Sequence, residues 1–139
     1  MIRYLLDTDS LTLFQYAQPM LVQQVLSHPP GEVGLTIITV EEQLSGWYTK
    51  LRRARRPDDL AQVYQHLTDN VQSVARFPIV SFTRPAIQRY ALLRTLNLNV
   101  AKWDLRIAAI ALEQGGIVIT RNLRDFQRIP GLIAEDWSV

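Results

Sequence analysis

Short runs of consecutive apolar residues alternate along this chain with longer segments in which apolar residues recur every three or four positions. Runs of the first kind are typical of strands buried on both faces, and segments of the second kind are typical of amphipathic helices. The apolar runs predict strands over residues 2–6, 33–38, 77–82 and 117–119, with an edge strand over 132–135. The periodic segments predict helices over residues 11–17, 19–27, 40–56, 58–76, 83–96, 103–114 and 123–128.

The order of these elements predicts the fold class. Strands separated by helices indicate βαβ units, whose crossovers share one hand and give a parallel sheet. The runs Tyr4-Leu5-Leu6 and Ile117-Val118-Ile119 lack the polar alternation of a half-exposed strand, which favours central positions in the sheet. We therefore expect an α/β fold with a mainly parallel sheet of four to five strands, built as one domain over residues 1–139.

Composition narrows the class of protein. With 47% hydrophobic and 20% charged residues, the chain is neither a disordered nor a fibrous sequence. It contains no cysteine, which excludes disulfides and thiolate metal sites. No apolar run approaches the ~20 residues that cross a bilayer, and the start MIRYLLDTDS is charged where a signal peptide is apolar. We expect a cytoplasmic protein that does not enter a membrane.

The basic residues are almost all arginine. Of fifteen basic side chains only Lys50 and Lys102 are lysines, and the net charge is +2. Arginine suits phosphate because its planar fork donates two parallel hydrogen bonds. A nucleic-acid partner is one interpretation of this bias, and codon usage or a thermally adapted surface is the other.

Acidic residues stand where the predicted strands end and helices begin. In open parallel sheets the functional crevice lies beyond the carboxyl ends of the strands, so we expect these side chains on one rim. The positions concerned are Asp7, Asp9, Glu41, Glu42, Asp104 and Asp125, with Thr120 and Asn122 nearby. Each acid alone is explained as a helix cap or a surface charge. Together they would repel one another unless a cation were bound, and Mg²⁺ with oxygen ligands is the natural cation.

Four stretches of the chain resemble a known family. YLLDTDSL, TVEEQLSGW, WDLRIAAIALEQGGIVITRN and NLRDFQRIPGL are similar, in this order, to the successive motifs of PIN-domain ribonucleases. The similarity is to the VapC-type toxins of bacterial toxin–antitoxin pairs, and it extends from residue 2 to about residue 132. It implies a three-layer α/β/α sandwich that hydrolyses RNA phosphodiester bonds, in tRNA or another structured RNA, with Mg²⁺ or Mn²⁺.

The resemblance also implies roles for particular residues. Asp7 and Asp104 match acids that bind the metal ion, and Glu42, four residues before Gly46, matches a third catalytic acid. The fourth acid is less regular, because Asn122 stands in this chain where many members have aspartate. Asp125 is then expected either to replace it as the fourth catalytic acid or to hold a metal-bound water. The family further implies a cognate antitoxin and a homodimer.

Thr120 and Asn122 are expected to orient the carboxylates around the cofactor. Three arginines close to the predicted rim are expected to attract the RNA backbone: Arg121, Arg124 and Arg128.

Two other functions fit parts of the sequence. Asp7-Thr8-Asp9 resembles the start of HAD-type phosphatases, but these need a later lysine, and Lys102 is poorly placed for that role. The departure at Asn122 is also compatible with an inactive PIN-like module that binds RNA or protein without cutting. Metal-dependent RNA cleavage that is abolished by EDTA would separate the nuclease from both.

Overall fold

Five short strands form one sheet in the order β3-β2-β1-β4-β5, and all four strand pairs are parallel. This is a computed structural model that describes residues 1–139. The strands are β1 (Tyr4–Leu6), β2 (Val33–Thr36), β3 (Ile79–Val80), β4 (Ile117–Ile119) and β5 (Ile133–Glu135). The predicted α/β class and parallel sheet are confirmed, and the sheet has the larger of the two strand numbers expected.

Seven α-helices connect and cover these strands. They are α1 (Thr8–Gln15), α2 (Pro19–Leu26), α3 (Ile37–Arg53), α4 (Pro57–Val74), α5 (Arg84–Arg94), α6 (Lys102–Gln114) and α7 (Leu123–Phe126). None of them is both long and apolar enough to pass through a bilayer.

The strand residues alternate between two separate cores. Leu5 and Val118 pack with the buried face of α6, while Leu6 and Ile119 pack with residues of α1, α2 and α4. Helices therefore cover both faces of the sheet, which is the predicted three-layer arrangement. Leu5 and Leu6 are fully buried, and truncating either to alanine would cost about 2–5 kcal/mol of folding free energy.

The register of the central strands brings three chain segments out of the sheet at the same level. Leu6 lies beside Leu35 of β2 on one side and beside Ile119 of β4 on the other. The residues that follow these strands thus share one edge of the sheet. Asp7 is one of them, and its backbone N–H donates to the carbonyl of Ile119 at 3.0 Å.

Two predicted boundaries at this edge were wrong, for the same physical reason. The first helix begins at Thr8 rather than at residue 11, because the Asp7 side chain caps it by accepting from the Ser10 N–H. The predicted strand 33–38 ends at Thr36, whose hydroxyl caps α3 by accepting from the Thr39 N–H. Both helices therefore start without a loop after the strand.

The third strand is also shorter than the predicted 77–82. Phe77 still donates its backbone N–H to Val74 at the end of α4, and Pro78 has no N–H to donate. Only Ile79 and Val80 pair with β2. The left-handed Gly115, with φ of 73°, ends α6 where the Gly-Gly pair predicted a stop.

Candidate functional site

Three acidic side chains from separate elements line one pocket at the carboxyl edge of the sheet. Asp7 follows β1, Glu42 lies in the second turn of α3, and Asp104 lies in the first turn of α6. The pocket has a volume of about 410 Å³, and its lining contains no hydrophobic residue. The remaining lining residues are Thr8, Asp9, Arg121 and Asn122.

The structure distinguishes the two neighbouring glutamates of α3. Glu42 faces the acidic pocket, whereas Glu41 is exposed and lines a separate surface hollow together with Tyr48. The prediction of Glu42 over Glu41 is consistent with this geometry. Their expected position in the first turn of the helix was wrong, because α3 begins at Ile37 and its first turn carries no acid.

Asp7 is the most buried of the three acids, with 5% of its surface exposed. Burial raises the pKa of its carboxyl group, and hydrogen bonding by Thr120 and Ser10 opposes part of this rise. The Ser10 N–H donates to Asp7 Oδ1 at 2.8 Å. The start of α1 therefore holds Asp7 in one orientation.

Glu42 and Asp104 experience the same unfavourable environment. Burial is the main cause that raises the pKa of Glu42, with the charge of Asp7 adding to it, while the hydrogen bond from Thr8 lowers it. Burial also raises the pKa of Asp104 to about 6, and the negative charges of Asp7, Glu42 and Asp125 contribute. These three carboxyl groups thus destabilise one another when all are ionised.

No basic side chain forms an ion pair with these three acids, although Arg121 lines the same pocket. The ion pairs of the protein join Arg89 to Glu113, Arg121 to Asp9, and Arg128 to Asp125. A site with oxygen donors, mutual repulsion and no paired cation fits a hard divalent ion. No group of three or more acidic or histidine side chains is placed so that it could hold a metal ion. At most two of these carboxylates would therefore contact one ion, and Mg²⁺ typically takes one or two carboxylates and fills its other positions with water and phosphate.

The residues after β4 lie around this pocket in a small hydrogen-bonded turn. The Thr120 hydroxyl accepts from the Asn122 N–H at 2.8 Å, and Asn122 Nδ2 donates to Asp125 Oδ2 at 2.9 Å. Asn122 lines the pocket, whereas Asp125 does not and forms an ion pair with Arg128. The structure therefore brings Asn122 to the pocket and leaves Asp125 behind it.

Sequence analysis missed the contribution of Thr8. Its hydroxyl donates to Glu42 Oε1 at 2.6 Å and so connects the start of α1 to α3. The usable signal was its place between Asp7 and Asp9, combined with the capping capacity of Asp7. A helix that begins at residue 11 leaves Thr8 outside it, and the sequence then gives no direction for its side chain.

Comparison with known proteins identifies the relatives of the chain, although no family model matches it. The "tRNA(fMet)-specific endonuclease VapC" of Shigella flexneri is 25% identical over 138 residues, covering 99% of this chain and 100% of the relative. The protein of the same name from Salmonella typhimurium is 28% identical over 141 residues, covering 99% of both chains. The chain is thus similar over its whole length to VapC endonucleases.

Solved structures agree with this relationship at the level of the fold. DNA-bound VapBC from Salmonella typhimurium matches with a TM-score of 0.80 at 23% identity, covering 99% of each chain. A toxin–antitoxin complex from Klebsiella pneumoniae matches with a TM-score of 0.70 at 24% identity, covering 94% of this chain and 95% of the other. The chain therefore has the PIN-domain fold that its motifs predicted.

Proposed function

We propose that this protein is a metal-dependent endoribonuclease that hydrolyses RNA phosphodiester bonds and acts as the toxin of a toxin–antitoxin pair. The observation that carries the proposal is the pocket that Asp7, Glu42 and Asp104 line without any of them forming an ion pair. The names of the curated relatives support RNA as substrate, and those of two of them support an initiator tRNA.

Each acid has a defined part in this proposal. Asp7 and Asp104 would bind the divalent cation, directly or through water, and Glu42 would add its negative charge to the same pocket. When bound, the cation acidifies water and compensates negative charge on the attacked phosphate. Thr8 holds the carboxylate of Glu42, and Thr120 holds that of Asp7. No side chain has to act as the nucleophile.

Asn122 and Asp125 divide the role of the fourth acid. Asn122 offers an uncharged amide at the pocket, and it is fixed there by donating to Asp125. Asp125 acts on the pocket by its charge, which contributes to the raised pKa of Asp104, and by orienting Asn122. We propose that Asp125 is a positioning residue.

The test is cleavage of an initiator tRNA transcript and of total RNA by the purified protein. We expect cleavage with Mg²⁺ or Mn²⁺, none with EDTA, and mapped fragment ends at a small number of sites. Glu42→Gln should lose most of the activity. Glu41→Gln is its matched control, because Glu41 lies on the same helix outside the pocket, and it should cleave like the wild type.

The same assay tests the two other functions. Metal-dependent RNA binding without cleavage would favour the inactive module, for which Asn122 is the supporting observation. Hydrolysis of small phosphomonoesters would favour the HAD-type phosphatase. Against that reading, Lys102 lies in a different surface hollow, beside Tyr90 and Asn97, and no lysine lines the acidic pocket.

We further propose a cognate antitoxin and a homodimer as partners. A groove of about 440 Å³, in which Trp47 stacks on His66, runs beside the buried Asn70, whose Oδ1 has no hydrogen-bond partner. This groove is the candidate site for an inserted antitoxin segment. The exposed apolar surface around Ile37 and Tyr48 on α3 is the candidate face for a second copy. Co-purification with the product of a neighbouring gene, and the mass of the isolated protein in solution, test these two partners.

A further inference from the structure

Arg121 is the one basic residue in the lining of an otherwise acidic pocket. Its Nε donates to Asp9 Oδ2 at 2.7 Å and its Nη2 donates to Asp9 Oδ1 at 3.0 Å. This two-point contact joins the residue that follows Thr120 to the first turn of α1. The contact fixes the guanidinium at the pocket, between the segments that follow the neighbouring strands β1 and β4.

The pair contributes little to the stability of the fold. The side chain of Arg121 is 51% exposed and that of Asp9 is 48% exposed. Ion pairs this exposed contribute about 0–1 kcal/mol. The position and orientation of Arg121 therefore need an explanation other than stability.

The contact with Asp9 leaves Arg121 able to bind a second group. A guanidinium has five N–H donors, and Asp9 takes two of them. The three others remain for an anion that enters the pocket. Because Asp9 already holds the side chain, little rotational freedom is lost when that anion binds.

The two other arginines of this segment lack these properties. Arg128 donates to Asp125 Oδ1 and to the carbonyl of Asn99, both at 3.0 Å, and does not line the pocket. Arg124 is exposed, takes part in no ion pair and does not line the pocket either. Of the three arginines that were expected to attract the RNA backbone, only Arg121 therefore lines the pocket.

We propose that Arg121, held by Asp9, donates hydrogen bonds to a phosphate of the RNA beside the bond that is cut. This inference rests on the proposed function, because it takes RNA as the ligand of the pocket. Arg121 would place the phosphate backbone against Asp7, Glu42 and Asp104. The contact would exist in the bound substrate before any bond breaks, so its loss should affect binding and KM more than kcat.

The experiment measures RNA binding and RNA cleavage separately. Binding of a fluorescein-labelled initiator tRNA transcript is titrated in Mg²⁺ with Asp104→Asn protein, which should not cut it, at several salt concentrations. Arg121→Gln, Arg121→Lys and the matched control Arg124→Gln are compared in that background. KM and kcat are then measured for the same three substitutions in the otherwise wild-type protein, after thermal unfolding has shown that each is folded.

We expect Arg121→Gln to weaken binding about tenfold, as the loss of hydrogen bonds to a charged group does. The slope of log K against log salt should fall by about 0.7–0.9, the value for one lost phosphate contact. Arg121→Lys should keep the slope, because the charge remains, but lose affinity with the planar fork. Arg124→Gln should stay within about twofold of the parent in affinity and slope.

Wild-type affinity and salt slope in Arg121→Gln would overturn the inference. Equal losses in Arg121→Gln and Arg124→Gln would also overturn it, since they would indicate diffuse attraction by positive charge. If the wild-type protein binds RNA without cutting it and only Arg121→Gln weakens binding, the phosphate contact stands and the nuclease proposal falls. The two hypotheses therefore fail in different measurements.

Discussion

The hydroxyl of Thr8 and the carboxylate of Glu42 form a hydrogen bond of 2.6 Å between the first residue of one helix and the second turn of another. This bond lowers the pKa of Glu42 against the effect of burial. Thr8 also lines the pocket, so this bond fixes the orientation of the Glu42 carboxylate at the site.

Replacing Thr8 by valine should therefore reduce cleavage while the protein still folds. Valine keeps the shape of threonine and removes the donor, so Glu42 loses its fixed orientation and its pKa rises further. We expect a loss of about 3- to 10-fold in kcat/KM, measured on the initiator tRNA transcript. Thr8→Ser, which keeps the hydroxyl, is the control and should stay close to the wild type. Equal rates for Thr8→Val and wild type would remove Thr8 from the site.

Neutralising Asp104 should abolish cleavage and stabilise the metal-free protein. Asp104 makes no hydrogen bond within the protein, and burial with three neighbouring negative charges raises its pKa to about 6. Asparagine removes that charge, and we expect the free energy of unfolding at pH 7.5 in EDTA to rise by about 1–2 kcal/mol, after allowance for solvent screening of this half-buried group. Urea unfolding measures the change. Retained cleavage by purified Asp104→Asn protein would contradict the proposed site.

The same carboxylate predicts how stability depends on pH. The pKa of Asp104 is about 6 in the folded protein and about 3.8 ordinarily, so the folded state binds its proton more tightly than the unfolded state. Its stabilising contribution is complete below about pH 4 and is lost as the pH rises through 6. Without divalent ions, the difference in unfolding free energy between Asp104→Asn and wild type should therefore increase between pH 4 and pH 7.

Added Mg²⁺ supplies the corresponding control for the pH experiment. A cation that binds the folded protein stabilises it, and it binds better once the acids are ionised. The stabilisation of the wild type by Mg²⁺ should hence grow with pH and be much smaller in Asp104→Asn. A stabilisation by Mg²⁺ that is the same in both proteins at every pH would place the ion elsewhere.

Asp125 should matter less than Asp7. Asp125 acts through Asn122 and is partly neutralised by Arg128, whereas Asp7 lines the pocket directly. We expect Asp125→Ala to lower kcat/KM by about 10-fold and Asp7→Ala to remove cleavage. Asn122→Asp restores a carboxylate at the pocket and should recover part of the loss when combined with Asp125→Ala. Complete loss in Asp125→Ala would instead place Asp125 among the metal ligands.

Most of the fold could be predicted because a parallel sheet leaves a strong local signal. The strand 117–119 and the end of α6 at Gly115 are where the sequence places them, since an unbroken apolar run and a Gly-Gly pair each have one simple interpretation. Ile37 and Ile38 are predicted as strand residues because β-branched residues favour strands. The capping hydroxyl of Thr36 outweighs that propensity and turns them into the start of a helix.

The acids of the site were predictable for the same reason, and their partners were not. Strand ends and helix starts are both readable in the sequence, so Asp7, which follows a strand, and Asp104, which begins a helix, could be assigned to one edge of the sheet. The partners of the acids depend on the directions of side chains that are far apart in the sequence. Thr8 and Glu42 are separated by 34 residues, and Asp9 and Arg121 by 112 residues. Nothing local in the sequence encodes such a pairing.

Asp7 stabilises the first turn of α1 as its N-cap, and such a cap contributes about 1 kcal/mol to folding. A descendant of this protein that stopped cutting RNA would still keep an aspartate or asparagine at this position to preserve the helix. Asp104 does not cap its helix, because the N-cap of α6 is Ala101. Among related sequences, loss of the Asp104 carboxylate is therefore the better marker of an inactive enzyme. An aspartate at the position of Asp7 does not by itself indicate an active one.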